Sequence, residues 1–248
     1  MNAGRVLEGE TAVITGAGRG IGRAIALSFA RAGAAIVAAS RTTAEVEETA
    51  REVRAEGGRA FAVTADVTRK AEVDSLVELA LKETGRLDVV VNNAGVFVWK
   101  ALALLEESEW DRILNTNLKA SYLLIHAALP ALTRSGRGRV VNIASIHGTV
   151  GDANVVAHCA AKFGLIGLTK ALARELREVG VTVNAVCPGS TDNKSRETES
   201  VKRQFPLKEK LAADDVAQAA LYLASPAAAA VSGAILDVWG GTYVSIKG

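Results

Sequence analysis

The chain has 248 residues, with 29 basic and 27 acidic side chains and therefore a net charge of +2. Hydrophobic residues make up 49% and charged residues 23%, proportions typical of a folded globular protein rather than a disordered one. The weak and dispersed charge argues against a nucleic-acid-binding surface. No apolar run reaches the roughly eighteen residues of a membrane span, because Arg31 and Gly33 interrupt the best candidate, 24–39.

The cysteines and the first residues of the chain indicate in which cellular compartment the protein is expected. Cys159 and Cys187 are too few for a disulfide framework and fit a reducing cytosol. Residues 1–9 contain no apolar core with a cleavage site, so we expect a cytoplasmic protein without an export signal. No histidine has metal-ligand spacing with cysteines or carboxylates, so we expect no metal site; the histidines are His126, His147 and His158.

Short apolar runs alternate with longer amphipathic segments along the chain. Runs of four or five apolar residues are typical of strands buried on both faces, as in a parallel sheet. The alternation predicts a single doubly wound α/β domain over residues 1–248, with a mostly parallel, seven-stranded sheet and helices on both faces. The predicted strands are 11–15, 35–39, 60–64, 89–92, 139–143, 182–186 and 235–238. The predicted helices are 21–32, 44–56, 70–84, 108–132, 157–179 and 214–224.

One long irregular stretch, residues 188–212, stands apart from this alternation. It is rich in serine, threonine, lysine and glutamate. A loop of that length in a compact domain is usually a functional lid or a disordered segment. We therefore predict a substrate lid there.

A glycine-rich loop directly follows the first predicted strand and precedes the first helix. Glycines let the chain turn tightly and bring backbone N–H groups close to a pyrophosphate, and the helix N-terminus adds partial positive charge. A glycine run alone is a weak signal, but this one has the required strand–turn–helix context. It predicts a dinucleotide site that includes Gly16, Gly18, Arg19, Gly20, Ile21 and Gly22.

The end of the second strand bears on the choice of dinucleotide. An NAD site usually has an acidic residue there for the ribose hydroxyls, but this strand ends at Ser40 followed by Arg41. Arg41 and Arg19 together could bind a 2′-phosphate through their planar donors, which favours NADP(H) over NAD(H). The alternative is that both arginines are simply solvated.

Further motifs follow in a characteristic order. Asn93-Ala94-Gly95 comes after the fourth strand, Ser145 after the fifth, and Pro188-Gly189 after the sixth. With the glycine loop, these motifs resemble the short-chain dehydrogenase/reductase family over about residues 9–241. The most similar members in general appearance are 3-oxoacyl-carrier-protein reductases and polyketide ketoreductases.

The resemblance implies a Rossmann-type domain, a nicotinamide cofactor, a small carbonyl or alcohol substrate, and a homo-oligomer, either tetramer or dimer. Self-association is expected through the helices predicted at 108–132 and 157–179. The implied cofactor contacts are Asp66 and Val67 at the adenine, Asn93, Ala94 and Gly95 along the cleft, Pro188 and Gly189 at the nicotinamide, and Lys162 at its ribose. The implied catalytic residues are Ser145 at the substrate oxygen and Asn117 with a proton-relay water.

The family's catalytic tyrosine is missing. The family places it thirteen residues after the serine and four before the lysine, and here that position is His158. His158 and Lys162 are four residues apart and project from one face of a helix. A histidine beside cations is mostly neutral at pH 7, which predicts a usable base for alcohol oxidation and a poor acid for ketone reduction.

Several interpretations stay open. His158 can act as the substitute acid/base of an oxidoreductase, or the fold can serve as a binding or scaffold protein. The site can also catalyse a non-redox dehydration or isomerisation, or the chain can be a Tyr-to-His variant of an ordinary reductase. The retention of Ser145, Lys162, Asn117 and the glycine loop favours the first. His147, two residues after Ser145, is predicted to line the substrate mouth, with a plain loop residue as the alternative.

Overall fold

The computed structural model describes residues 5–191 and 211–239. Its strands are β1 (Thr11–Thr15), β2 (Ala35–Ser40), β3 (Ala60–Thr64), β4 (Val89–Asn92), β5 (Arg139–Ile143), β6 (Thr182–Pro188) and β7 (Ile235–Val238). Its helices are α1 (Gly20–Arg31), α2 (Thr43–Ala55), α3 (Lys70–Thr84), α4 (Glu107–Leu114), α5 (Ala120–Ser135), α6 (Val156–Glu175) and α7 (Ala213–Ala224).

The seven strands form one sheet in the order β3-β2-β1-β4-β5-β6-β7, and every pairing is parallel. The predicted doubly wound architecture is therefore confirmed, and the sheet in the described ranges is wholly rather than mostly parallel. Residues of β1, β4, β5 and β6 are buried throughout, because helices cover both faces. The strand order reverses between β1 and β4, and ligands bind in the crevice at such a switch point.

The helix predicted over 108–132 is not continuous. The structure has α4 and α5 separated by a π-helical turn, Asn115–Lys119. The apolar periodicity runs through the turn, so the sequence pattern gives no sign of it. Asn117 lies in the middle of the turn and is 1% exposed, and its side chain contacts Val96 and His158.

Helix α6 and the short 3₁₀ turn after it, Leu176–Val179, cover the segment predicted at 157–179. Val156–Val179 is the one stretch in the described chain that is long and apolar enough to cross a membrane by length and composition. In the structure this helix packs against β6 and α4, and it carries the buried Lys162.

The predicted lid falls largely outside the described residues, which exclude 192–210. At its two described ends, Thr191 and Leu211 form a single parallel bridge. Pro188, predicted as the first lid residue, is the last residue of β6, so the strand continues two residues beyond its predicted end.

Candidate active site

The glycine loop is fastened to the end of β4 by Asn93. Its Nδ2 donates to the carbonyl oxygens of Thr15 at 2.9 Å and Gly16 at 3.2 Å. The Thr15 hydroxyl accepts from the backbone N–H groups of Asn93 and Ala94, both at 3.1 Å. Asn93, predicted to line the cofactor cleft, therefore holds the loop in position through its side chain.

Glycine is required at several loop positions. Gly16 and Gly20 have φ of 64° and 54°, in the left-handed region that favours glycine. A Cβ on Gly22 would lie 2.2 Å from the Gly16 carbonyl oxygen, so α1 packs directly against the loop. The tight turn and close approach expected of a pyrophosphate loop are both present.

Helix α1 presents an open N-terminus to this loop. No side chain caps its first N–H groups, and its first turn contains no acidic residue. Free N–H donors and the helix dipole together favour an anion at this position. The Ile21 side chain packs against the apolar core. These residues therefore fit a dinucleotide, whose pyrophosphate needs backbone donors and close approach.

The end of β2 carries the side chains predicted to read the 2′ position of the adenosine ribose. Ser40 is partly buried, and Arg41 is exposed. Arg19 lies 4.0 Å from a carboxylate oxygen of Glu45, an acidic residue on α2 that the sequence analysis missed. A Cβ on Gly18 would lie 2.8 Å from the Glu45 Cβ, so this glutamate is packed against the glycine loop.

Asp66 follows β3 and is fixed by a local turn. Its Oδ1 accepts from the Thr68 N–H at 3.0 Å and the Thr68 hydroxyl at 2.7 Å. Partial burial opposes the charged form, but these hydrogen bonds and the charges of Arg41 and Arg69 lower the pKa of Asp66. The neighbouring Val67 is buried. An ionised, oriented carboxylate thus stands at the carboxyl end of β3.

Ser145 lies beyond the end of β5 and caps a short 3₁₀ helix, Ile146–Gly148. Its Oγ accepts from the His147 N–H at 3.2 Å, so its own proton can be donated elsewhere. A Cβ on Gly148 would lie 2.9 Å from the Lys162 carbonyl oxygen. The Ser145 turn therefore packs directly on α6, the helix that carries His158 and Lys162.

Lys162 is 6% exposed, and its Nζ donates to the Ile143 carbonyl at 2.7 Å. Burial lowers the pKa of Lys162 to about 8, although the nearby Cys187 opposes the shift. Burial raises the pKa of Cys187 to about 11, so this residue stays a neutral thiol. The ammonium group is thus the positive charge of the site at neutral pH.

Asn117 links the π turn to His158. Its Oδ1 accepts from the Val96 N–H at 2.7 Å, and its Nδ2 donates to the Val96 carbonyl at 2.8 Å. These two contacts fix which end of the amide is nitrogen. Nδ2 also lies 3.2 Å from Nδ1 of His158. This contact favours a neutral imidazole that accepts at Nδ1 and carries its proton on Nε2.

His158 is 8% exposed and stays neutral over a wide pH range. Burial, with smaller contributions from Lys162 and His147, lowers the pKa of His158 to about 3, although a hydrogen bond with the Val96 backbone opposes the shift. The neighbouring cations predict this downward shift of the His158 pKa from the sequence alone. Desolvation, which the sequence could not show, is the larger cause.

His147 belongs to an aromatic group with His158 and Phe97. The two histidine rings stand edge to face with centroids 5.7 Å apart, and Phe97 stacks on His147 at 6.4 Å. The His147 Nε2 lies 3.5 Å from Asp152 Oδ2, and both side chains are mostly buried. Sequence reasoning missed Phe97 and Asp152, since neither belongs to a motif. Within residues 5–191 and 211–239, no group of three or more potential metal ligands is found.

The predicted nicotinamide end of the cleft is closely packed. The Gly189 N–H donates to the Val238 carbonyl at 2.9 Å, and a Cβ on Gly189 would lie 3.0 Å from Trp239 Cβ. A Cβ on Gly95 would lie 3.3 Å from Asn117 Oδ1. Gly95 and Gly189 thus allow backbone segments to approach where side chains would interfere.

Comparison with known proteins gives the family. The short chain dehydrogenase model matches residues 10–204 of the chain. The chain is a member of the short-chain dehydrogenase family. This short-chain dehydrogenase is 38% identical over 245 residues to the 3-oxoacyl-[acyl-carrier-protein] reductase FabG of Pseudomonas aeruginosa, covering 96% of this chain and 99% of the relative. It is 39% identical to FabG of Staphylococcus aureus (strain Mu50) over 244 residues, covering 95% and 98% of the two chains.

Solved structures agree with this assignment. A protein from Burkholderia xenovorans described as a short-chain dehydrogenase/reductase superposes with a TM-score of 0.89 at 36% identity, covering 96% of this chain and 98% of that chain. A short-chain alcohol dehydrogenase assigned in Sinorhizobium meliloti gives a TM-score of 0.89 at 33% identity, covering 95% and 96%. This short-chain dehydrogenase is therefore an oxidoreductase that uses a nicotinamide cofactor on a ketone/alcohol pair.

Proposed function

We propose that the protein interconverts a ketone and a secondary alcohol on a small molecule, with NADP(H) as preferred cofactor and His158 at the substrate oxygen. The observation that carries this proposal is the arrangement around α6. Asn117 contacts His158 from the π turn, and the Ser145 turn packs on the same helix beside Lys162. A scaffold would not need these polar groups buried together, because each costs free energy to desolvate.

His158 acts in this proposal as a neutral hydrogen-bond donor. Its Nδ1 accepts from Asn117, so Nε2–H is the ring's remaining polar group and is assigned to the substrate oxygen. With the Ser145 hydroxyl, this donor stabilises negative charge as it develops on a carbonyl oxygen. A neutral imidazole can serve as an electrophile in this way, as triosephosphate isomerase illustrates. The sequence-based expectation of a base stays a prediction, and the Asn117 contact supports the donor role proposed here.

Lys162 contributes a fixed positive charge. Its Nζ is anchored to the Ile143 carbonyl, and its pKa of about 8 keeps it mostly charged at neutral pH. This charge disfavours protonation of His158 one helical turn away. It would also hold the ribose hydroxyls beside the nicotinamide, as the family resemblance implies.

NADP(H) preference rests on the end of β2. Ser40 offers no carboxylate to the ribose, and the exposed Arg41 and Arg19 would bind a 2′-phosphate. Glu45 competes for Arg19 and must give way when a phosphate binds. When bound here, a nicotinamide cofactor would supply the hydride in reduction and accept it in oxidation.

The substrate class and assembly state complete the proposal. The two FabG relatives are named as reductases of 3-oxoacyl groups, which supports a ketone as substrate. Exposed aromatic side chains on α4, α5 and α6 support a homo-oligomer, tetramer or dimer; they are Trp110, Tyr122 and Phe163. The free Cys159 and Cys187 support a reducing compartment, the cytoplasm.

Titration of the protein with NADPH and NADH, followed by a panel of ketones and alcohols, tests this function. We expect tighter binding of NADPH and NADPH-dependent reduction of at least one ketone. If neither nucleotide binds, the proposal is wrong, and a non-redox reaction becomes the better interpretation. If both bind but no ketone or alcohol turns over, the fold serves as a binding protein.

A further inference from the structure

The proposed function leaves one requirement unmet, because a proton must reach the substrate oxygen during reduction. His158 cannot supply it near neutral pH, since the ring is neutral and its Nε2–H is too weak an acid to be lost. Lys162 is anchored to the Ile143 carbonyl at 2.7 Å and is 6% exposed. His158 replaces the tyrosine that the family resemblance places beside this lysine, so a proton carrier next to Ser145 and His158 would supply the acid that the tyrosine provides in the family.

His147 occupies the required place. Its backbone N–H donates to Ser145 Oγ at 3.2 Å, and its ring stands edge to face against His158 at 5.7 Å. The turn that carries it packs on α6 through Gly148, which fixes its distance from the catalytic helix. His147 therefore contacts Ser145 through its backbone N–H and His158 through its ring.

Asp152 is the group that distinguishes His147 from His158. Its Oδ2 lies 3.5 Å from His147 Nε2, and its Oδ1 accepts from the Ala153 N–H at 2.7 Å. A carboxylate at this position orients the ring, holds the Nε2 proton and leaves Nδ1 as the site of proton exchange. His158 has a neutral amide, Asn117, in the corresponding place.

We propose that the Asp152–His147 pair is the proton carrier of this enzyme, and that His147 gives a proton to the substrate oxygen in reduction and takes it back in oxidation. This inference rests on the proposed function. In reduction, the Nδ1–H bond of the imidazolium breaks and its electron pair stays on the ring. An O–H bond forms on the alkoxide, directly or through the Ser145 hydroxyl, and His147 is left neutral.

The charges around His147 set the order in which the two rings take up protons. Asp152 lies on the loop after the 3₁₀ turn, while His158 faces the ring from α6 and Lys162 lies one helical turn farther along. Burial lowers the pKa of His147, and Asp152 opposes that shift, so the His147 imidazolium is the minor form at neutral pH and reduction should accelerate as the pH falls. His158 has no carboxylate to oppose its own, larger shift. The first proton on the pair therefore goes to His147.

The test combines titration of the histidine rings by NMR with turnover. In the full-length protein, we expect His147 to titrate at higher pH than His158, with each signal assigned through His147→Gln and His158→Phe. Asp152→Asn should lower the His147 midpoint by about 1, the effect of losing an adjacent charge. His126→Gln and Asp74→Asn are matched controls, since His126 is exposed on α5 and Asp74 pairs with Lys70 on α3. Neither control should move the midpoint.

Kinetics complete the test. His147→Gln should reduce NADPH-dependent turnover by about 10²-fold, the scale of one lost acid/base group, with NADPH affinity unchanged. In Asp152→Asn, the pH above which reduction slows should fall by the same amount as the NMR midpoint of His147. The proposed role of the Asp152–His147 pair is wrong if His147→Gln keeps the turnover of the parent. It is also wrong if His158 titrates with a midpoint above that of His147. If the parent shows the expected NMR midpoints but no turnover, the order in which the Asp152–His147 pair and His158 take up protons is supported, and the proposed function is wrong.

Discussion

Asn117 Nδ2 lies 3.2 Å from His158 Nδ1. The amide cannot turn around, because Val96 binds its oxygen through N–H and its nitrogen through C=O. A neutral His158 that accepts this donor at Nδ1 carries its proton on Nε2. One side chain of a π turn thus decides whether the ring presents a donor or a lone pair to a substrate.

Asn117→Asp tests this tautomer. A carboxylate at the same position accepts a proton where the amide donates one, so it should move the ring proton to Nδ1 and raise the pKa of His158. Nitrogen-15 NMR of the ring should show Nε2–H in the parent and Nδ1–H, or an imidazolium, in the variant. The exposed His126 should keep its spectrum in both proteins. Protonated Nδ1 in the parent would contradict the assignment.

The pH dependence of stability follows from the low pKa of His158. Its folded pKa of about 3 lies below the ordinary value of 6.5, so the unfolded chain binds more protons between these limits. Stability is therefore complete above pH 6.5 and falls as the pH decreases toward 3. Between pH 7 and pH 5 this residue should cost about 2 kcal/mol of unfolding free energy.

Urea unfolding of the parent and His158→Phe at both pH values measures this loss. We expect the variant to lose less stability, with a remainder from His147, whose pKa is lowered in the same direction. Equal losses in the two proteins would show that His158 is not the main buried base.

Much of the fold follows from the sequence. The strands are short and almost wholly apolar, and the glycine loop lies directly between a strand and a helix. Both features are visible in a few consecutive residues, so the sequence predicts them. The π turn is different, because residues 108–132 keep helical periodicity across it and its contact between Asn117 and Val96 is long-range.

The missed site residues share a physical reason. Asp152 lies on a loop, where no periodicity applies, and its significance comes only from its contact with His147. Glu45 resembles a solvated residue of an amphipathic helix until the packing of α2 against the glycine loop is known. Burial at His158 likewise depends on tertiary packing.

Cofactor preference should depend on Arg41. Arg41→Ala should weaken NADPH binding by about 1–3 kcal/mol, the scale of a charge-assisted hydrogen bond to phosphate, and leave NADH binding nearly unchanged. Arg51→Ala is a matched control, because Arg51 is an exposed arginine of α2 that pairs with Glu48. Calorimetric titration with both nucleotides measures the effect. Equal losses of NADPH and NADH binding would mean that Arg41 supports the fold and does not bind the phosphate specifically.

Glu45 should oppose the same phosphate. Its carboxylate is 4.0 Å from Arg19, so Glu45→Gln removes both a competitor and a repelling charge. The expected result is NADPH binding tighter by about 2–5-fold at low salt, with the gain reduced at high salt because the charges are exposed. Glu48→Gln, on the same helix, should have no such effect. A loss of NADPH affinity in Glu45→Gln would mean that this glutamate binds the ribose instead.

The most direct measurement is ketone reduction by the parent, His158→Tyr and His158→Phe under identical NADPH concentrations. The tyrosine variant should reduce the ketone about 10–10³-fold faster, since its longer side chain supplies an acid with a better-matched pKa. The phenylalanine variant should lose most of the parent's turnover, because no N–H remains for the substrate oxygen. A phenylalanine variant as active as the parent would contradict the central claim that His158 binds the reacting oxygen.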